Sequence, residues 1–430
     1  MIFYNEPCLS RHGSQNTFME FSNDERLILD LLKKYAFGVI QSPKHKLKYH
    51  SVEPGLAYSN TLWDWDSYWA VVALNDTVEL LKGDDDFDYD YHRKLVNDGA
   101  KGNVLNFLDY QEEDGFVPIM LRADVENDDY CLRPNVLNAH KPFLCKSALL
   151  ASNLNGDSCW VDVSKLCKLM DYYRENQFDE NSGLYFWRSD VMIGVDNNPT
   201  VFGRPQDSSA DIYLNSYMVS EYDALINLCK QNGVSYEKYA RQREELVKNI
   251  NDIMWDEREN LFFSQDILVK TNQTEIFNKG LGAFWKTLPI KIEFWCSYLP
   301  LTCGIVERGR AELLIKRLKR GQILCNYGVR TLSKDERQYS LTPSGNPSNW
   351  LGAVWTIANY EIYSGLVKYG KYQDADDIYQ KTVKMLADSI KKDGSMSESY
   401  NPDTGEGILH KMFFSWNVLV ATMIKDKKSR

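Results

Sequence analysis

The sequence lacks any uninterrupted apolar run of the ~18 residues that a membrane-spanning helix needs, so no membrane span is expected. Its first residues, MIFYNEPCLS, contain no basic region followed by an apolar run, and we therefore expect no signal peptide. These two absences predict a cytoplasmic protein that does not have a membrane as its partner.

Positive charge is also scarce, because 60 Asp and Glu residues outweigh 50 Lys and Arg residues and give a net charge of -10. Nucleic-acid binding draws on clustered basic residues that release counterions from the phosphate backbone. The one basic run, Lys44 to Lys48, is expected to be a solvated loop. The charge therefore argues against a nucleic-acid partner.

The nine cysteines form no recognisable framework: their number is odd, their spacing from Cys8 to Cys325 is irregular, and no CxxC pair occurs. Free thiols in a reducing compartment explain this better than disulfides or a zinc site. The acidic run DDDFDYD at 84–90 is expected to be a solvated loop rather than a cation site. No metal and no cofactor is therefore expected.

Aromatic residues, by contrast, are abundant, with 11 Trp and 26 Tyr. Their rings can cover the C–H faces of sugars, which suits a small-molecule carbohydrate substrate. They can equally act as bulky wedges between packed helices, and for any single Trp the two interpretations are about equally good.

Apolar residues recur with helical spacing over most of the chain, whereas long alternating runs typical of strands are scarce. Residues 1–22 look irregular, and Ser22 or Asn23 is a suitable cap for the first helix. Further helices are predicted at 66–82, 95–111, 160–176, 208–231, 236–254, 307–319, 347–369, 373–391 and 411–424. The sequence therefore predicts an all-α protein.

A weak internal repeat subdivides these helices. Short turns followed by extended aromatic or apolar segments recur at intervals of 60, 68, 77, 68 and 66 residues, at Gly55, Gly115, Gly183, Asn260, Gly328 and Gly394. Each interval has room for a helical hairpin, and repeats bury their apolar faces on their neighbours. Six hairpins predict one (α/α)6 barrel, a toroid over residues 23–430, whose rim loops carry the extended segments and converge on one pocket.

The first of these loops carries TLWDWDSYW, in which Trp63 and Trp65 alternate with Asp64 and Asp66. Carboxylates accept hydrogen bonds from sugar hydroxyls while the indole rings cover the apolar sugar face. Acids at a helix N-terminus can also simply complement the helix dipole. The interleaving of two acids with two tryptophans favours a sugar-binding role.

Two further carboxyl groups lie in the third and sixth loops. Asp196 stands in GVDNNP, which is a good turn sequence, and on the local pattern alone a turn role is favoured. Glu398 stands in SMSESYNPDTGEG, where it could simply be solvated. Glycoside hydrolysis needs two carboxyl groups flanking the scissile bond, and loops on opposite sides of a six-fold toroid leave room for sugar and water, which favours inversion.

Other polar and aromatic residues of the predicted rim complete the candidate pocket. Arg204 and Lys141 could bind an anionic aglycone such as glycerate, because Arg grips a carboxylate through two hydrogen bonds. Glycine permits close backbone approach. The remaining candidates for substrate contact are Asn138, His140, Trp187, Gln206, Trp350, Gly352, Trp355 and Tyr400, although Trp355 suits the core at least as well.

Five segments in the same order resemble glycoside hydrolase family 63 and the related trehalases: LWDWDSYW, HKPFL, GVDNNP, NWLGAVW and SMSESYNPDTGEG. The resemblance spans about residues 60–410. It implies an inverting α-glycosidase on an (α/α)6 barrel, with Asp196 as general acid, Glu398 as general base, and Asp64 and Asp66 near the glycone. It thereby reverses the turn interpretation of Asp196.

Within that family the chain is most similar to short enzymes that hydrolyse mannosylglycerate and glucosylglycerate. It lacks the PGGRF and QWDxPNGW segments of trehalases, which argues against trehalose as the substrate. It also lacks the N-terminal β-domain of processing glucosidases. The predicted function is hydrolysis of a terminal α-linked glucose or mannose from a small glycoside. Whether glucose or mannose occupies the site, which aglycone follows it and what the oligomeric state is are left open.

Two other classes of function remain alternatives. A sugar epimerase, isomerase or lyase can share a helical toroid, since fold does not settle function, but it would favour His or Tyr bases, and His140 is the single histidine in a candidate motif. A non-catalytic sugar-binding protein would keep the tryptophans without needing both Asp196 and Glu398.

Overall fold

Helices dominate the protein, whose computed structural model describes residues 20–124, 136–269, 285–342 and 347–430. The prediction of a mostly helical chain is confirmed. The α-helices in these residues are α1 (Asn23–Tyr35), α2 (Asp64–Leu80), α3 (Tyr89–Asp109), α4 (Leu144–Asn155), α5 (Val163–Asn176), α6 (Ile212–Gln231), α7 (Glu237–Asn249), α8 (Leu299–Cys303), α9 (Arg308–Arg320), α10 (Thr356–Lys368), α11 (Tyr372–Asp393) and α12 (Leu419–Ser429).

Helix α1 begins where the sequence predicts it. The Ser22 side chain accepts from the backbone N–H of Glu25, and the Glu25 side chain accepts from the backbone N–H of Ser22, which forms a capping box. Leu29 and Leu32 are fully buried on the inner stripe of the helix. Residues 1–19 of the segment predicted to be irregular lie outside the described residues.

The even-numbered helices contact one another in succession: α2 packs on α4, α4 on α6, α6 on α8, α8 on α10, α10 on α12, and α12 on α2. Most odd-numbered helices lie against this set, with α3 on α2 and α4, α5 and α7 on α6, and α11 on α10 and α12. Burial follows the same division. Helix α6 buries residues on all its faces, whereas α7 buries only Tyr239 and Leu246, as a surface helix with one apolar stripe does.

The strands are short antiparallel pieces between the helices. Strand β1 (Ile40–Gln41) pairs with β2 (Ser51–Val52), β3 (Thr61–Trp63) with β4 (Met120–Arg122), β5 (Phe178–Asp179) with β6 (Leu184–Tyr185), β8 (Trp255–Asp256) with β9 (Leu261–Phe262), β12 (Leu324–Cys325) with β13 (Gly328–Val329), and β14 (Ser397–Tyr400) with β15 (Gly407–Lys411). One three-stranded sheet has the order β11 (Leu288–Pro289), β10 (Gln265–Asp266), β7 (Ser209–Ala210).

The predicted repeat turns have a shared backbone conformation. At five of the six positions φ is left-handed, with values of +96° at Gly115, +69° at Gly183, +53° at Asn260, +117° at Gly328 and +69° at Gly394. Glycine and asparagine tolerate this region best, which explains why the repeat is visible at these residues although the flanking sequence varies.

Two predicted helices start later than expected, and two helices were not predicted. Helix α10 begins at Thr356 rather than at 347, because the backbone N–H of Trp350 donates to Asn197 Oδ1 and Val354 pairs with Tyr400 in an extended conformation. Helix α12 begins at Leu419 rather than 411. Helices α4 and α8 were missed. The first-turn amides of α4 are capped from a distance by Glu221 of α6, a contact without a local signal.

None of the described helices is long and apolar enough to cross a membrane. Within the described ranges, no group of three or more His, Cys, Asp or Glu side chains is arranged to hold a metal ion. In the acidic run 84–90, Asp84 contacts Arg26 and Lys33 at 3.2 and 3.4 Å, and Asp86 contacts Lys33 at 2.6 Å.

Candidate active site

A cavity of about 410 Å³ opens where the chain enters α2, α10 and α12. This volume is in the range of small-molecule sites. Six distant segments meet here, at 54–66, 120, 141, 190–202, 348–350 and 398–416. The cavity is lined by Pro54, Tyr58, Trp63, Trp65, Asp66, Met120, Lys141, Asp190, Val191, Met192, Gly194, Asp196, Phe202, Ser348, Trp350, Glu398, Phe413 and Trp416.

Glu398 lies in β14 with only 3% of its surface exposed. The Tyr58 hydroxyl donates to both of its carboxylate oxygens, at 3.1 and 3.3 Å, and His410 Nδ1 lies 2.6 Å from Oε2. Burial raises the pKa of Glu398 above its usual range, while the contacts with His410 and Tyr58 counteract part of that rise. The Trp416 indole N–H donates to the Glu398 backbone carbonyl at 3.2 Å and so holds the strand in place.

Asp196 also lines the cavity and lies in a half-buried turn. The two residues that follow it fix the turn. Asn197 exchanges hydrogen bonds with the next wall, donating to Asn349 Oδ1 at 2.9 Å and accepting from the Trp350 N–H at 2.8 Å. Asn198 donates to Asp211 Oδ2 at 3.2 Å. The turn is thus anchored at two points immediately beyond Asp196.

Gly194 brings the same turn against the cavity floor. Its φ is +88°, and a Cβ atom there would lie 2.9 Å from the Trp65 indole and 3.1 Å from Lys141 Cε. A side chain at this position would therefore collide with two residues of the site. The glycine of GVDNNP is needed for close approach rather than only for turning.

Asp64 does not line the cavity but lies beneath it, fully buried in an ion pair with Lys141. Its Oδ1 lies 2.7 Å from Lys141 Nζ, and its Oδ2 accepts from the Lys141 backbone N–H at 2.7 Å. Lys141 Nζ also donates to the Met192 carbonyl at 3.3 Å. The pair therefore connects the start of α2 with the loop that carries Asp196, and Asp64 is corrected from a direct sugar ligand to a support.

Asp66, two residues further along, faces the cavity. It is 6% exposed and accepts from the Ser415 hydroxyl at 3.0 Å. Burial raises its pKa to about 7, which the neighbouring charges of Asp64 and Glu398 reinforce and that of Lys141 opposes. The carboxyl group is therefore partly protonated near neutral pH.

The floor and one wall are aromatic. The Trp65 ring centroid lies 6.1 Å from that of Trp350 and 5.6 Å from that of Trp416, and Trp63 projects from β3 beside them. Trp355 supports this wall from behind. It stacks on Trp350 with a centroid distance of 3.9 Å and an interplanar angle of 9°, and it is fully buried. Trp355 therefore belongs to the core, the interpretation that the sequence left open.

Three predicted residues do not line the cavity but contact segments beside it. Asn138 donates to the carbonyls of Ser189 and Val191 at 3.0 and 2.8 Å. Buried His140 directs Nδ1 to the Lys141 carbonyl at 2.7 Å. Trp187 donates to Asp211 Oδ2 at 3.3 Å. Their expected position is corrected, because their polar atoms are used by neighbouring backbone and side chains.

Two more candidates serve the opposite wall in the same way. A Cβ atom at Gly352, where φ is +132°, would lie 2.4 Å from the Tyr339 ring, so this glycine admits a tyrosine instead of a sugar. The Tyr400 hydroxyl is buried and accepts from the Ser397 N–H at 2.9 Å.

Arg204 and Gln206 also lie away from the cavity. Arg204 forms an ion pair with Asp266 of β10, and Gln206 is exposed to solvent. The loop is held towards β7 and β10 because the Ile267 N–H donates to the Ser208 carbonyl at 3.0 Å and Asp266 pairs with Ser209. Neither residue lines the cavity where the contact with an anionic aglycone is expected.

Several lining residues were missed by the sequence analysis. Tyr58 ends a short 3-10 helix, Leu56–Tyr58, within the EPGLAYSN segment of the first repeat, so its place in that segment was a usable signal. Phe202, Phe413 and Trp416 follow rim segments without lying in a recognised motif. His410 contacts Glu398 only because β15 folds back on β14, a pairing with no local signature.

Comparison with known proteins gives one family match. The family model described as the mannosylglycerate hydrolase MGH1-like glycoside hydrolase domain matches residues 61–417, which include every lining residue except Pro54 and Tyr58.

Curated relatives match more distantly. A probable mannosyl-oligosaccharide glucosidase of Schizosaccharomyces pombe is 24% identical over 263 residues, covering 56% of this chain and 30% of the relative. The mannosylglycerate hydrolase of Thermus thermophilus is 22% identical over 271 residues, covering 60% of this chain and 51% of the relative. These alignments thus span between about a third and a half of the relatives' length.

A solved structure matches over nearly the full chain. The GH63 mannosylglycerate hydrolase of Thermus thermophilus, solved in complex with glucose, superposes with a TM-score of 0.67 at 17% identity, covering 91% of this chain and 100% of that one. At this identity the likeness concerns the fold alone.

Proposed function

Because the chain belongs to the mannosylglycerate hydrolase MGH1-like glycoside hydrolase family, we propose that it hydrolyses a terminal α-linked glucose or mannose from a small glycoside, with inversion. One observation carries the proposal: Asp196 and Glu398, 202 positions apart in the sequence, line a single cavity together with tryptophan rings. A pair of carboxyl groups at an aromatic pocket is the arrangement that glycoside hydrolysis requires.

In the proposed mechanism Asp196 is protonated and gives its proton to the glycosidic oxygen as the bond from that oxygen to the anomeric carbon breaks. A water molecule attacks the same carbon from the opposite face and loses its proton to Glu398. The hydrogen bond from Tyr58 favours the ionised form of Glu398, as a base requires. The configuration at the anomeric carbon is thereby inverted.

The sugar is proposed to lie on the floor formed by Trp65 and Trp350, with Trp63 at its side. Asp66 accepts hydrogen bonds from its hydroxyl groups, since its carboxyl faces the cavity and has Ser415 as its other partner. The Asp64–Lys141 pair acts from beneath, by keeping the start of α2 and the Asp196 loop in register.

We further propose that residues 23–430 form one catalytic (α/α)6 barrel. The succession of contacts from α2 through α4, α6, α8, α10 and α12 and back to α2 supports an inner circle of six helices, and α3, α5, α7 and α11 pack outside it. The cavity lies at the end where the chain enters the inner helices, so rim segments from distant parts of the sequence converge there.

For the aglycone, a small polar group is proposed, and glycerate is the first to test because three relatives of this chain are described as mannosylglycerate hydrolases. Lys141 is the one cation among the described lining residues, and Asp64 already neutralises it. The site therefore offers an anionic aglycone no free positive charge in its described part. A cytoplasmic location stays a prediction.

The deciding experiment is proton NMR of the anomeric region during turnover of α-glucosides and α-mannosides, including the glycerate glycosides and trehalose. Initial release of the β-sugar by the wild type, and by neither Asp196→Asn nor Glu398→Gln, is expected. Initial release of the α-sugar would overturn inversion. A product of unchanged mass would point to an epimerase, and binding without any product to a sugar-binding protein.

A further inference from the structure

His410 is the closest polar contact of the proposed base, although it lies outside the cavity. Its Nδ1 is 2.6 Å from Glu398 Oε2, and 44% of its side chain is exposed, against 4% for Glu398. Its ring meets the Tyr58 ring edge to face, with centroids 5.4 Å apart. One solvent-accessible titratable group thus touches a buried carboxylate from behind.

The backbone around His410 is held in an uncommon conformation. Leu409 and Met412, on either side of the His410–Lys411 pair, have φ values of +66° and +57°. Side chains other than glycine rarely adopt this region, and such residues persist where the surrounding structure fixes them, often at functional sites. The strand pairing also shifts register between Ser397 and Ser399, at the level of Glu398. The hairpin geometry therefore determines where the imidazole lies.

We propose that His410 is a positioning residue for Glu398, which holds Oε2 and leaves Oε1 as the atom that removes the proton from water. This inference rests on the proposed function. Oε2 has both His410 and Tyr58 as partners, whereas Oε1 has Tyr58 as its one partner among the hydrogen bonds described. A base needs a lone pair facing the nucleophile.

The contact also opposes the other charges around Glu398. The negative charges of Asp196 and of Asp66 in α2 both disfavour the ionised form of Glu398, and the Tyr58 hydroxyl favours it. The cation nearest to these groups, Lys141, is paired with Asp64. An imidazole N–H directed at Oε2 keeps the carboxylate ionised, whereas a carboxylic acid directed at a bare ring nitrogen would leave no base. The proposal requires the first arrangement.

A matched pair of variants distinguishes the effect of the hydrogen-bond donor of His410 from the effect of its side-chain volume. His410→Asn keeps a nitrogen donor at the same number of bonds from the backbone as Nδ1, and His410→Leu removes it. The probes are α-glucosyl and α-mannosyl fluoride, whose leaving group needs no protonation, so the acid limb of kcat/KM reports ionisation of the base. For His410→Leu we expect this limb to move up by about one pH unit, because a hydrogen bond to a charged group is lost.

The same variant is expected to lower kcat about fivefold at the midpoint of the wild-type limb, with KM within about twofold, since His410 does not line the cavity. His410→Asn should restore the wild-type limb. The control is Lys411→Ala, whose side chain is exposed and contacts Asp393. An unchanged limb in His410→Leu, or equal shifts in the Leu and Asn variants, would overturn the proposal.

A second measurement does not depend on turnover. Carbon-13 NMR of protein labelled at the glutamate carboxyls, with the Glu398 signal assigned by its absence in Glu398→Gln, gives the titration directly. We expect this signal to titrate at higher pH in His410→Leu than in the wild type, and identical titrations would refute the role of His410. If no glycosyl fluoride is turned over by the wild type, the proposed function fails while this result still decides the inference.

Discussion

The two proposed catalytic carboxyl groups lie in different backbone settings. Glu398 lies in a strand of the 397–411 hairpin and is fixed through its own oxygens, by Tyr58 and His410. Asp196 lies in a turn that is fixed through the side chains after it, Asn197 and Asn198. Glu398 is 3% exposed, whereas Asp196 is half-buried.

This difference suits two different tasks. A base that receives one proton from water benefits from an orientation fixed by direct contacts, which leave one oxygen available. An acid must first be protonated and then reach the leaving oxygen, and the anchoring of the backbone just beyond Asp196 places its carboxyl at the cavity. Loss of the turn anchor beyond Asp196 and loss of the contacts at the Glu398 carboxylate therefore predict different responses to mutation.

The largest effect is expected from removing each carboxyl group in turn. Glu398→Gln should lower kcat for both natural glycosides and glycosyl fluorides by about 10²–10⁴-fold, the range for general acid–base groups. Asp196→Asn should cause a similar loss with glycosides but a much smaller one with fluorides, which leave unprotonated. Parallel kcat measurements on both substrates check this, and equal losses for the two variants on fluoride would erase the distinction between acid and base.

The next largest effect concerns the anchor of the acid. Asn197→Ala removes both bonds to the opposite wall and leaves the buried Trp350 N–H without its acceptor, at about 1–3 kcal/mol in the free energy of unfolding. Displacement of the turn should lower kcat about 10–100-fold. Urea unfolding and glycoside kinetics measure the two effects. The control, Asn227→Ala, alters an exposed residue bonded only within α6 and should change neither.

A third carboxyl group, that of Asp66, makes the stability of the folded protein depend on pH. Its pKa is about 7 in the folded protein against an ordinary 3.8, so ionisation costs stability progressively as pH rises from about 4 to about 7. Asp66→Asn should therefore raise the melting temperature at pH 8 by about 2–6 °C, leave it unchanged at pH 4, and raise KM for substrate. Calorimetry at the two pH values measures the change in melting temperature. A lower melting temperature of Asp66→Asn than of the wild type at pH 8 would contradict the prediction.

The smallest effect is expected from a change at Arg204, which follows the turn that carries Asp196. Arg204 is paired with Asp266 and lies outside the cavity, and a partly exposed ion pair contributes about 0–1 kcal/mol to stability. Arg204→Ala should leave the ratio of kcat/KM between charged and neutral aglycones within about twofold. A selective loss with glycerate glycosides would restore the sequence-based role of this residue.

Local sequence patterns predicted the helices well and the site only in part. Helical spacing placed α11 at 373–391, and it spans Tyr372–Asp393. The family resemblance, based on five ordered segments, is confirmed by the match over residues 61–417. His140 and Trp187 were misplaced because polarity and proximity to a motif do not reveal whether backbone carbonyls or buried acids already use a side chain. His410 was missed because its role depends on strand pairing.

The packing of α12 on α2 has a consequence for the order of folding. Ser415 and Asp66 are 349 positions apart, and Tyr58 and Glu398 are 340 apart, so the cavity is assembled from some of the most distant contacts in the chain. Contacts of such separation carry a large loop-closure entropy and form late, after the local helical hairpins. The cavity therefore cannot exist in a partly folded chain. A chain with an assembled cavity has, by that fact, already packed α12 on α2.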